Sequence, residues 1–174
     1  MLNKKFNQEI VFREVQRFRQ AWLWMLIVAI AGVIVWALLR QIDFAVPFGD
    51  YPISDYGLLG FAILFAIGLP IFFYTIHLTT ELTAGTLYLR FLPLHFRWQR
   101  VPLQYIQSAE AVRYNALVDY GGYGVRYGRS GKAYNVSGSE GVQLVLTNGK
   151  RIMIGSQRAE ELAQALKAAL RNRR

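Results

Sequence analysis

The chain has 174 residues, 53% of them hydrophobic, and no cysteine, which excludes disulfides, cysteine-based zinc sites and thiol catalysis. Its formal charge is +9 and its mean hydropathy +0.21, but neither is evenly spread. Apolar residues crowd the stretch up to residue 76; the rest is polar, glycine-rich and rich in strand formers, enough for one small domain.

Residues 3–20, NKKFNQEIVFREVQRFRQ, place Phe6, Ile10, Val11, Val15 and Phe18 at spacings that fit one helical face, with Lys, Arg and Gln on the other. The pattern predicts a cytoplasmic amphipathic or interfacial helix over residues 1–20. Two uncharged stretches follow. Trp22–Leu39 (WLWMLIVAIAGVIVWALL) belongs to a run without charge from Gln20 to Arg40. At ~1.5 Å per residue, about 20 helical residues match the ~30 Å hydrocarbon core of a bilayer. Tyr56–Ile76 (YGLLGFAILFAIGLPIFFYTI) is uncharged as far as Glu81. Together they predict a transmembrane helical hairpin over residues 21–76, with spans of about 21–39 and 56–76. Trp22, Trp24 and Trp36 stand near the ends of the first span, where indoles anchor at the headgroup level. Ala29, Gly32, Gly60, Ala62, Ala66 and Gly68 offer small surfaces for close helix approach, and Pro70 is a place for a kink. Neither span contains Asp, Glu, Lys or Arg, which argues against an ion or proton pathway.

A cleaved signal peptide does not fit, because the first apolar run exceeds the about 7–15 residues of a signal and no small-x-small site follows. Five Lys or Arg residues (Lys4, Lys5, Arg13, Arg17, Arg19) precede the first span, and only Arg40 lies between the spans. The positive-inside rule then puts both termini in the cytoplasm and the acidic connection outside. That connection, RQIDFAVPFGDYPISDY, is too apolar for a freely solvated loop and reads as folded on the outer membrane surface or against a partner subunit.

From His77 the pattern becomes one of short strands. HLTTEL and TLYLRFLPL flank a turn at Thr83-Ala84-Gly85; FRWQRVP, QSAEAVRY, GVRY and KAYNV follow; Asn148-Gly149 joins GVQLVL to KRIMI as a two-residue type I′ hairpin. Ser156 is an N-cap candidate for a closing amphipathic helix with Leu162, Ala165, Leu166, Ala169 and Leu170 on one face. About seven strands and one closing helix make residues 77–174 a cytoplasmic, mainly-β PH-like domain closed by a C-terminal α-helix. GGYGVRYGRSGKAYNVSGSEGVQLVL and NGKRIMIGSQRAEELAQAL, with TLYLRFLP as a weaker echo, resemble small bacterial proteins that join two transmembrane helices to a cytoplasmic PH-like domain. The likeness covers most of residues 78–170. It implies a multi-pass protein of a bacterial inner, or other internal, membrane, and brings no catalytic residues with it.

No catalytic, cofactor or metal constellation is legible. Gly131-Lys132 fails as a phosphate loop because Arg126 and Ala133 stand where Gly and Ser or Thr are needed. His77 and His95 lack carboxylate or histidine partners in sequence, Ser130, Ser137 and Ser139 lack a nucleophile-elbow context, and no nucleic-acid motif accompanies the basic charge. Arg126, Arg129 and Lys132 fall at three-residue steps in the glycine-rich stretch and are the candidate contacts for lipid or partner. The expectation is a non-enzymatic protein without cofactor or specific small-molecule ligand. Its PH-like domain would dock a membrane-protein partner or a second copy, as a scaffold or as an accessory or assembly subunit. The alternative is a sensor of anionic lipid that uses the basic hairpin.

Overall fold

The computed structural model describes residues 9–44, 54–94, 96–128 and 131–172. Lys4, Lys5, Phe6, His95, Arg129, Ser130, Arg173, Arg174 and most of the connection between the apolar stretches lie outside these. The chain forms two compact units, one of Arg19–Thr75 and one that joins Met1–Phe18 to Ile76–Arg174.

In the first unit, α1 spans Ala21–Phe44. Its Ala21–Arg40 portion is long and apolar enough to cross a membrane, with a mean hydropathy of 2.5. Leu23, Ile27 and Ala37 form its buried face, while Trp22, Met25, Val28, Val33 and Trp36 are exposed. A second helical path begins with α2 (Asp55–Ala62), capped by the Ser54 side chain, passes through a π-helical turn (Ile63–Gly68) and ends in α3 (Leu69–Thr75). Within it, Leu59–Thr75 counts as a shorter apolar helix. The π turn has a local cause. Pro70 lacks an N–H, and its ring collides with the carbonyl four residues back in a regular α-helix. The wider turn, in which the Leu69 N–H reaches the Leu64 carbonyl, relieves this. α1 packs against α2 and the π turn. Two of the small residues expected at that contact are elsewhere: a Cβ on Gly32 or Gly60 would meet nothing within 4 Å.

The second unit begins with a correction. Residues Ile10–Arg17 are strand β1 and not part of a helix. Phe12, Glu14 and Gln16 face inward and are buried, while Val11 and Val15 face out. The inward row is mostly polar, so the valines gave a helical period to a strand whose buried face they do not share. The β-rich unit thus starts before the apolar helices, not at residue 77.

β2 (His77–Thr83), β3 (Thr86–Leu92) and β4 (Gln99–Pro102) continue the sheet in the antiparallel order β1-β2-β3-β4. After a 3-10 turn at Leu103–Tyr105 comes β5 (Ile106–Arg113), then a short helix α4 (Ala116–Tyr120) that the sequence pattern did not suggest. β6 (Gly124–Gly128), β7 (Gly131–Asn135), β8 (Glu140–Leu146) and β9 (Arg151–Gly155) complete a second sheet of order β5-β8-β9-β7-β6, in which β7 and β9 are parallel. The turn before β9 differs from expectation. The Gly149 N–H bonds to the Leu146 carbonyl and the Leu146 N–H to the Lys150 carbonyl, with Gly149 at φ 77°. This is a three-residue loop with a left-handed glycine, rather than a two-residue type I′ turn.

α5 (Ala159–Arg171) lies on β5 and β8. Leu162 and Leu166 are fully buried, as are Leu82, Leu89, Val142 and Ile154 of the sheets. Ser156 is not its N-cap: Arg158 holds that position without a side-chain bond. The Ser156 hydroxyl instead accepts from the Arg158 N–H at 3.0 Å and donates to Glu14 Oε2 at 2.6 Å. Glu14 Oε1 accepts the Gln157 N–H at 2.8 Å, and Gln16 donates to the Gly155 carbonyl at 2.5 Å. These bonds tie the first strand to the entry of the last helix and satisfy a buried carboxylate.

Candidate functional site

The β6–β7 hairpin carries the basic residues singled out above. Strand register decides their fate: Arg126 lies opposite Ala133, and Tyr127 opposite Lys132. Side chains alternate between faces along a strand, so Arg126 and Lys132 project from opposite faces of the hairpin. The three-residue spacing does not bring them together. The Arg126 guanidinium donates to the Tyr123 carbonyl at 3.1 Å. Lys132 Nζ instead sits 5.3 Å from the ring centroid of Tyr127 and 4.7 Å from that of Tyr134. Partial burial pulls the Lys132 pKa down, but hydrogen bonds to the Tyr134 and Tyr127 side chains outweigh it and hold the ammonium above its ordinary value. Lys132 therefore carries a full charge at neutral pH.

A different basic cluster forms at the hairpin tip. Lys132 joins Lys150 and Arg151, the pair that follows the Gly149 turn, around a cavity of about 630 Å³ also lined by Tyr127, Gly131 and Gly149. Among the described residues, no carboxylate lines it. A second cavity of about 540 Å³ shares Lys132 and adds Arg100, Asn148 and Tyr134. Close approach of the two turns requires glycine: Gly131 has φ 103°, and a Cβ there would collide with the Arg151 carbonyl oxygen. The sequence signal for this cleft was one basic residue, Lys132, and one basic pair, Lys150-Arg151, each beside a turn glycine. It was missed because the turns are about 18 residues apart, and only the parallel β7–β9 register joins them.

A chain of hydrogen bonds places the cleft within its unit. The Leu103 N–H bonds to the Gly85 carbonyl at the β2–β3 turn, and the Thr147 N–H bonds to the Tyr105 carbonyl. The β8–β9 turn thus stands beside the β2–β3 turn. The opposite end of the first sheet is where Arg17, His77 and Leu92 align, and there the chain leaves for α1 and returns from α3. The seven residues of β2 separate those ends by ~20 Å.

The sequence profile of a family of unknown function, DUF6141, matches residues 3–172. The chain belongs to that family. No curated protein matches this DUF6141 chain. Its match takes in β1, both helical stretches and α5, so the interrupted β unit lies within one family-wide segment.

Trp22 and Trp36 are exposed on α1, with the Arg40 guanidinium 5.5 Å above the Trp36 ring, and Trp24 is half-buried. Among the described residues, no three His, Asp or Glu side chains gather as metal ligands. The buried acids have structural partners: Glu14 as described, and Glu81, 3.4 Å from Arg13 Nε on the neighbouring strand. Ser137 lies 3.4 Å from the Gln157 amide.

Proposed function

We propose that this DUF6141 chain is a two-span membrane protein whose PH-like β unit serves as a docking platform at the cytoplasmic face, a scaffold or an accessory or assembly subunit of a membrane complex. The observation that carries this is the insertion of the apolar unit between β1 and β2. These strands pair residue by residue, up to Arg17 against His77, so they lie on one side of any membrane. A chain that leaves at Arg17 and returns at His77 crosses an even number of times. If α1 crosses once, the helical path from Asp55 to Thr75 crosses back; its length of ~30 Å suffices. The exposed apolar side chains of α1, unsuited to water, support the same reading. The five-to-one charge count favours the cytoplasm for the β unit.

The basic cleft favours docking over lipid sensing. Lys132, Lys150 and Arg151 stand at the end of the β unit remote from its chain connections, whereas a lipid sensor would need its cations at the connected end. Three charges at the surface would in any case supply only ~3 kcal/mol, a millimolar attachment. An acidic protein segment is the fitting occupant.

Two measurements test this. With no native cysteine, Ser54→Cys and Ala84→Cys should react with a membrane-impermeant thiol reagent from opposite sides of sealed vesicles; labelling from the same side overturns the two-span reading. A photo-crosslinker at Asn148 in native membranes should capture protein. Capture of phospholipid alone would replace docking by lipid sensing.

A further inference from the structure

The loop between β3 and β4 exposes apolar side chains that no described residue covers: Leu94 is 61% and Phe96 71% accessible. The base of the loop is nevertheless fixed. Trp98 is half-buried, in edge contact with Tyr88 at 6.2 Å, and the Arg90 guanidinium lies 4.5 Å over its ring. A clamped base with a bare apolar tip is an arrangement that water disfavours.

The position of the loop says what covers the tip. Leu92, the last residue of β3, pairs with His77, which pairs with Arg17. The loop therefore leaves the sheet at the end from which the chain runs to α1 and to which it returns from α3. Arg17 and Ala21 are four Cα steps apart along the chain, and Thr75 and His77 are two. Fully extended, these connections reach at most ~14 Å and ~7 Å. The loop thus shares its end of the sheet with both short connections to the apolar helices. The charges agree: segments 17–20, 76–78 and 92–98 contain Arg17, Arg19 and Arg97 and no acidic residue. Aromatic and aliphatic side chains among arginines are the composition of a segment lying at a lipid headgroup boundary.

We propose that the β3–β4 loop is an interfacial anchor: Leu94 and Phe96 enter the headgroup–acyl boundary of the bilayer, and Arg97 lies among lipid phosphates. The proposal rests on the two-span reading and deepens it. Together with the two covalent connections the loop gives the β unit a third attachment, which resists rotation and holds the Lys132–Arg151 cleft toward the aqueous side.

The absence of cysteine allows single-cysteine labelling of the full chain in proteoliposomes. Phe96→Cys, with Leu94→Cys as a second position, carries an environment-sensitive fluorophore, and nitroxide lipids labelled near the headgroup act as quencher. Both labels should emit to the blue and lose most of their emission to the quencher. A label at Ala84→Cys, on the far turn, should emit as in water and keep its emission. A label at Val28→Cys, an exposed position of α1, should be quenched by nitroxides deep in the acyl chains. If Val28 is quenched while positions 94 and 96 behave like Ala84, the anchor is overturned and the span stands. If both loop labels emit to the blue but resist lipid quenching, protein covers the loop and the lipid assignment is overturned. Failure at Val28 overturns the two-span reading and the anchor with it.

Discussion

Strand β1 and helix α5 are the first and last elements of the same unit, and they are buried by opposite means. α5 contributes Ala159, Leu162, Ala163 and Leu166 to the interior, an apolar stripe with no polar member. β1 contributes Phe12 and then Glu14 and Gln16, whose interior positions depend on hydrogen bonds to Ser156, Gln157 and Gly155. Apolar burial is non-directional and leaves a period in the sequence. Polar burial depends on partners some 140 residues away and leaves none. The first unit element was therefore misread and the last one read correctly, for the same physical reason.

The largest effect should come from removing β1. Residues 77–174 alone would bare the edge of β2 and the inward faces of Leu78 and Leu82. That fragment should aggregate or resist folding. A chain in which a short Gly-Ser linker replaces residues 19–75, joining β1 directly to β2, should fold as a soluble unit, because Arg17 and His77 are already neighbours. Equal protease resistance of the two would show that β1 contributes nothing.

Within the linked unit, Leu166→Ala should cost ~2–5 kcal/mol, the usual range for a fully buried leucine. Lys167→Ala, on the exposed side of α5, should change stability by less than ~0.5 kcal/mol. Glu14→Ala should cost about 1–3 kcal/mol by leaving the Ser156 hydroxyl and Gln157 N–H without their acceptor. Chemical denaturation of the three variants ranks them. A Glu14 effect no larger than that of Lys167 would mean that the polar tie is not holding β1.

Much of the second unit was legible: β2, β3, the β8–β9 hairpin and α5 all carry periodic apolar residues or turn glycines that local physics interprets. What escaped was set by distant pairing. α4 buries only Ala116 and Tyr120, against Tyr114, Ala133 and Met153, too short a pattern to register as a helix. The basic cleft needed the parallel register of β7 and β9, and the spacing of Arg126 and Lys132 misled because a hairpin turn between them reverses the strand.

The same cluster beneath α4 makes an alkaline test. Burial pushes the Tyr114 phenol up from 10.0 to about 12, with Asn135 pulling it back in part. The folded state thus holds the proton more tightly than the unfolded chain. Stability linked to Tyr114 is complete below pH 10 and is lost as pH rises through 12. The loss should amount to at most ~3 kcal/mol. Tyr114→Phe should flatten this part of the pH profile, and an unchanged profile would remove Tyr114 as its source.

The smallest expected effect discriminates best between the two ways of reading β1. In an amphipathic helix over residues 1–20, Val11 and Val15 would lie on the buried apolar face, and truncating them would then cost as much as other buried valines do. In the strand they are 55% and 45% exposed, and they stand on the face away from Phe12, Glu14 and Gln16. Val15→Thr keeps the β-branched shape that a strand favours and exchanges a methyl for a hydroxyl already in reach of water. Its opposite neighbour is Thr79 of β2, so the substitution creates a cross-strand threonine pair of a kind that sheets tolerate well. Stability should stay within ~0.5 kcal/mol of the parent. Thermal unfolding of the linked unit measures this directly. A large loss would return Val15 to an interior, and the polar face of β1 would then need another explanation.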